Sequence, residues 1–99
     1  MAEKTILSEN KAYWTGRAAG YSEVNQTDLE TAQRKKWSDC LQAEIARQSP
    51  GIAAAQLRVL EVGTGPGFFA ILLRELGYEV TAIDLTPAML AEAKKNAAT

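Results

Sequence analysis

The sequence predicts an α/β fold: N-terminal helices followed by a βαβα unit whose two strands run parallel. Three observations predict it. Two short apolar runs, Leu57–Val62 and Tyr78–Asp84, have strand length, and each carries a carboxylate at or near its end. Between them, a turn through Gly63, Gly65 and Gly67 opens directly into Phe68–Leu76, an apolar run with helical spacing. Thr86-Pro87 then starts another helical pattern. Strand, helix, strand, helix in that order implies a parallel pair joined by a right-handed crossover.

The elements follow along the chain. Residues 1–10 are polar and are expected to be frayed or loosely docked. Residues 11–24 hold an aromatic-basic cluster of Tyr13, Trp14, Arg17 and Tyr21. Tyr13, Arg17 and Tyr21 are four apart, so a helix places them on one face, and Gly16 and Gly20 predict that this helix is short or irregular. Residues 27–48 read as one helix, with Leu29, Ala32, Trp37, Cys40, Leu41 and Ile45 at three- and four-residue steps and Thr27 or Asp28 as its cap. The basic run Arg34-Lys35-Lys36 reads as a solvated helix face. Ser49-Pro50-Gly51 stops the helix, and residues 52–56 are a linker or one further turn.

Leu57–Val62 is apolar at nearly every position, the pattern of a parallel strand covered on both faces. In the helix after the glycine turn, Phe69, Leu72, Leu73 and Leu76 form the apolar face, and Gly77 stands where a left-handed cap belongs. In the last helix, Met89, Leu90, Ala93 and Ala97 form the buried face, and Lys94 and Lys95 suit its C-terminal dipole.

Composition narrows the function. The chain has 99 residues and a net charge of −1, with seven acids and seven bases in residues 1–56 and five acids and four bases in residues 57–99. That balance lacks the basic footprint of a nucleic-acid binder. Cys40 is the only cysteine, which favours a reducing, cytoplasmic location, and the absence of histidine leaves no metal-binding cluster. The start Met1-Ala2-Glu3-Lys4 does not read as a signal peptide, and the longest apolar run, Phe68–Leu73, falls far short of the roughly 20 residues that span a bilayer.

The glycine turn is where chemistry enters. Its spacing is G-x-G-x-G, with Phe68 where a dinucleotide fingerprint has its third glycine. Glu61 lies two residues before the first glycine, and a carboxylate roughly 8 Å from a phosphate repels it by about 2 kcal/mol at an effective dielectric of about 20. Pro66 also removes an N–H that a phosphate would use. A ligand with cationic groups and no phosphate suits the turn better, and S-adenosylmethionine is such a ligand. Asp84, seventeen residues after Gly67, is placed to accept bonds from two adjacent ribose hydroxyls, and Leu85 and Met89 lie beyond it, where an adenine face would pack.

Glu61-Val62-Gly63-Thr64-Gly65-Pro66-Gly67, followed by Val80-Thr81-Ala82-Ile83-Asp84-Leu85-Thr86-Pro87-Ala88-Met89-Leu90, closely resembles the first two motifs of class I S-adenosylmethionine-dependent methyltransferases. The resemblance implies an incomplete Rossmann-like, doubly wound parallel sheet. It implies that Glu61, Gly63 and Gly65 line the methionine side of the cofactor, that Thr64 between them is a further cofactor-binding residue, that Gly67 permits close helix approach, that Asp84 holds the ribose, and that Leu85 and Met89 border the adenine. Residues 1–26 are similar to a cap segment that folds over the cofactor, with Tyr21 or Arg17 meeting the methionine carboxylate. Residues 27–99 would then be the N-terminal half of a methyltransferase domain, truncated before the strands and catalytic segment that follow in the family, so no catalytic residue is assigned. A small molecule is the favoured methyl acceptor, with no membrane and no nucleic-acid partner. A two-stranded sheet with one bare face is expected to self-associate or swap elements with a second copy. The competing readings are a nicotinamide- or flavin-dependent oxidoreductase half-domain and a non-catalytic interaction module.

Overall fold

The computed structural model describes residues 5–98. Six main elements follow one another: α1 (Ile6–Leu29), α2 (Ala32–Gln48), β1 (Arg58–Val62), α3 (Phe68–Glu75), β2 (Glu79–Ile83) and α4 (Pro87–Ala97), with a 3₁₀ turn at Ala54–Gln56 before β1. The strands pair in parallel, in register from Arg58 opposite Glu79 to Val62 opposite Ile83. The predicted βαβα unit is therefore present. Gly77 takes the expected left-handed conformation after α3, at φ +100°.

The N-terminal half differs from expectation in three ways. A capping box at Thr5 and Ser8 starts α1 at Ile6, so residues 5–10 are an ordered helix start; residues 1–4 lie outside the described part of the chain. Next, α1 runs 24 residues straight through Gly16 and Gly20, both with negative φ and open space around them. The reason is tertiary. Ala18, Ser22 and Asn25, at steps of four and three, are buried and give the helix a packed stripe that outweighs the two glycines. The third difference is a break in the predicted 27–48 helix at Glu30–Thr31. Thr27 and Asp28 belong to the last turn of α1, and Thr31 caps α2: its hydroxyl accepts from the Gln33 N–H at 3.4 Å and donates to the Asp28 carbonyl at 3.3 Å. The break lets α2 fold back onto α3, where Trp37 meets Phe69 with ring centroids 5.1 Å apart.

Small corrections apply to the helix faces. In α3 the buried side chains are Phe68, Ile71, Leu72 and Leu73, while Phe69 and Leu76 are half-buried because Phe69 turns toward α2. In α4 the buried pair is Met89 and Asn96; Leu90, Ala93 and Ala97 are half-buried. Asn96 is the polar residue that no apolar periodicity marks. Its amide N–H₂ donates to the Ser22 hydroxyl at 3.1 Å and to the Pro66 carbonyl at 3.0 Å, and its amide oxygen accepts from Gln26 at 2.9 Å. One side chain thereby ties α1, α4 and the glycine turn together.

Both strands alternate exposed and half-buried. Val59, Glu61, Val80 and Ala82 face the helices; Leu60, Val62 and Ile83 face outward with 61%, 73% and 46% of their surface exposed. Among the described residues the sheet is thus covered on one face only, against the two-sided cover that the continuous apolar run suggested.

Two outcomes are expected. Asn96→Ala should lower stability by about 2–3 kcal/mol, since it strands the buried Ser22 hydroxyl and Pro66 carbonyl, and thermal unfolding followed by circular dichroism measures this. On the bare face, Val62→Lys should shift the sedimentation profile of concentrated protein toward smaller species; an unchanged monomer for both forms would remove the case for self-association.

Candidate functional site

The site lies where the two parallel strands end. Strand β1 delivers the chain into Gly63–Gly67, and β2 delivers it into Asp84-Leu85-Thr86. Gly63, Gly65 and Gly67 have φ values of +77°, +57° and +90°, so each needs the freedom that only glycine has without strain. Gly67 is also short of space: a Cβ there would stand 3.1 Å from Ala93 Cβ, so α4 packs directly on the turn.

The turn satisfies its own donors. The Gly63 and Thr64 N–H groups both donate to the Ile83 carbonyl, at 2.8 and 3.0 Å, and the Gly67 N–H donates to the Thr64 carbonyl at 3.1 Å. The Gly65 N–H donates to Asp84 Oδ2 at 2.9 Å, and the Thr86 N–H to Asp84 Oδ1 at 2.8 Å. Pro66 has no N–H. The loop between the first and last of these glycines therefore offers a phosphate no uncommitted N–H. Asp84 binds the two strand-end loops together, yet a carboxylate has about four lone-pair positions, and two remain for a ligand.

Glu61 points to the helix side of the sheet and is half-buried. Burial pushes its carboxyl above the ordinary value of 4.5; the Thr64 hydroxyl and the Ala70 backbone N–H, in the first turn of α3, hold it part-way down, and the Asp84 charge pushes it up again. Even so, Glu61 Oε2 and Thr64 Oγ1 are both buried without completing a hydrogen bond. A carboxylate thus already stands at the start of α3, where an anionic ligand would otherwise be drawn.

Glu61 and Asp84 do not share one cavity. Glu61, Thr64 and Phe68 line a cavity of about 250 Å3, and Asp84, Leu85 and Met89 line another of about 610 Å3. Gly63 and Tyr21 belong to both, so the two cavities adjoin across the turn. The Tyr21 ring lies above Gly65, 3.7 Å from where a Cβ would be.

Residues 59–99 match the family model described as a methyltransferase domain. Over this stretch the chain is similar to a methyltransferase domain. The chain is 43% identical over 61 residues to a malonyl-[acyl-carrier protein] O-methyltransferase of Enterobacter lignolyticus, a match covering 56% of this chain and 24% of that protein. It is 38% identical over 53 residues to a protein-L-isoaspartate O-methyltransferase of Gloeobacter violaceus, covering 54% and 23%. A second such enzyme, from Marinobacter nauticus, is 46% identical over 39 residues, covering 39% and 18%. The chain thus spans about a quarter or less of the length of these relatives. No solved structure matches.

The residues predicted from sequence fall into distinct places. Glu61, Gly63, Thr64, Asp84, Leu85, Met89 and Tyr21 line the two adjoining cavities, Gly65 lies beneath Tyr21, and Gly67 is buried under α4. Arg17 is exposed and lines none of the described cavities. The cavity-lining residues of α1 are Asn10, Trp14 and Tyr21; of the Tyr13, Arg17 and Tyr21 set that four-residue spacing puts on one helix face, Tyr21 alone lines a described cavity, and Tyr13 packs edge-on against Trp14 at 5.0 Å. The usable signal was the larger period. Trp14, Ala18, Tyr21, Ser22 and Asn25 form a stripe at four- and seven-residue steps, obscured by the polarity of its serine and asparagine. Among the described residues no cluster of metal ligands occurs and no helix is long and apolar enough to cross a membrane.

The raised Glu61 carboxyl has a consequence for stability. Between its ordinary value of 4.5 and its raised folded value, the folded state holds a proton that the unfolded chain releases. Stability is therefore lost as pH rises through that window. Glu61→Gln should be more stable than the parent at pH 7, and the difference should vanish below pH 4; denaturant titrations at both pH values measure it.

Proposed function

We infer that the two adjoining cavities bind S-adenosylmethionine, and that the whole protein transfers its methyl group to a small-molecule acceptor. One observation carries the reading: the glycine turn has spent its N–H groups internally, while a half-buried carboxylate with an unpartnered oxygen occupies the start of α3. Such a site attracts a cation and repels a phosphate. The ligand has an ammonium and a sulfonium, and no phosphate.

Each residue then has a physical task. Glu61 and Thr64 supply acceptors for an ammonium, and its approach favours the ionised carboxylate that burial alone disfavours. The two unused lone pairs of Asp84 accept from neighbouring ribose hydroxyls. Leu85 and Met89 offer an apolar surface to a base. Tyr21 bridges the cavities and limits water access to the turn. Bound S-adenosylmethionine supplies an electrophilic methyl group on sulfur, and what these residues contribute is position. The relatives have different acceptors by name, a malonyl group on a carrier protein and an isoaspartyl protein, yet each matches just over half of this chain. That supports reading it as the donor-binding half.

Calorimetric titration separates the alternatives. S-adenosylhomocysteine should bind and NAD should not, and Asp84→Ala should weaken the former at least tenfold. Binding of NAD alone would transfer the site to the oxidoreductase reading, and binding of neither would favour the non-catalytic one.

A further inference from the structure

The larger cavity has one wall that the glycine turn and its carboxylates leave unexplained. Besides Asp84, Leu85 and Met89, the same cavity is lined by Asn10, Trp14 and Tyr21, all from α1. Steps of four and seven residues bring these three to one helix face. Trp14 and Tyr21 meet edge-on, with centroids 6.1 Å apart, and Tyr21 rests over Gly65, so the indole is held by a ring that is itself set against the turn. The helix is anchored at this angle by the Asn96 bonds to Ser22 and Gln26. Trp14 nevertheless keeps 40% of its surface exposed, beside a cavity of about 610 Å3 that is large enough for a nucleoside. Asn10 contributes an amide to the same cavity and is itself exposed.

We propose that α1 reads the nucleobase: Trp14 stacks on the purine from the side opposite Leu85 and Met89, and Asn10 pairs with its amino-bearing edge. The proposal rests on the adenosyl reading of the cavity and adds the residues that would select adenine. An aromatic face stacks on any base and so supplies affinity without choice. A side-chain amide supplies the choice. Its oxygen accepts from the exocyclic amino group of adenine while its N–H₂ donates to the neighbouring ring nitrogen N7. Hypoxanthine presents two acceptors along the same edge and can satisfy only the amide donor. Arg17, the basic residue of the aromatic cluster that the sequence singled out, lies outside the cavity and takes no part.

The test uses the 99-residue chain and titrates S-adenosylhomocysteine against its inosine counterpart by calorimetry. The parent should prefer the adenine ligand at least tenfold, and Asn10→Ala should abolish most of that preference while still binding. Trp14→Ala should weaken both ligands about tenfold or more, and Trp14→Phe should restore most of the loss. In a Trp37→Phe background, which leaves Trp14 as the sole indole, ligand should quench its fluorescence. Asn10 is exposed, so its variant folds even where Trp14→Ala does not, which circular dichroism checks. Unaltered preference in Asn10→Ala, or full affinity in Trp14→Ala, would overturn the base-reading role and leave the adenosyl site standing. A parent chain that binds neither ligand would overturn both.

Discussion

The carboxylate of Asp84 is the constraint on which the rest of the site depends. It sits at the end of β2 and accepts from the Gly65 N–H of one loop and the Thr86 N–H of the other. Three left-handed glycines make a turn that could take many shapes, and this pair of charge-assisted bonds selects one. The same residue keeps acceptor capacity in reserve. Structure and the proposed ligand contact are therefore not competing explanations for Asp84, since a carboxylate has lone pairs beyond the two that hold the turn.

Helix α1 is set against that turn by polar contacts. Ser22, Asn25 and Asn96 are buried where apolar residues would ordinarily be found, and Asn96 reaches the Pro66 carbonyl inside the turn. A polar contact of this kind fixes direction as well as proximity, because its donors and acceptors must align. Trp14 and Tyr21 gain a defined place over the strand ends from it. A purely apolar seam would allow the helix to slide or rotate with little loss, and the aromatic wall would lose its register with the cavity.

The sheet has the opposite character. Helices cover one face, and Leu60, Val62 and Ile83 remain open on the other. In a doubly wound sheet both faces carry helices, and the near-continuous apolar composition of β1 is what such a strand requires. The sequence of β1 is thus suited to more cover than the described residues provide. The relatives are about four times longer than the stretch they match in this chain.

The βαβα order, the parallel pairing, the glycine turn and the carboxylate positions were all determined by the sequence itself. They depend on neighbours in the chain: apolar periodicity, glycine at positive φ, proline at a helix start. The division of residues 27–48, the persistence of α1 through Gly16 and Gly20, and the inward face of that helix were decided only by tertiary structure. Each depends on partners far along the chain. Ser22 is stabilised by Asn96, 74 residues away, and α2 departs at Thr31 because Trp37 has Phe69 to meet. The separation of Glu61 and Asp84 into two adjoining cavities belongs to the same class. Strand ends place both carboxylates near the turn, but each lines its own cavity, and Tyr21, delivered by a remote helix, lines both together with Gly63.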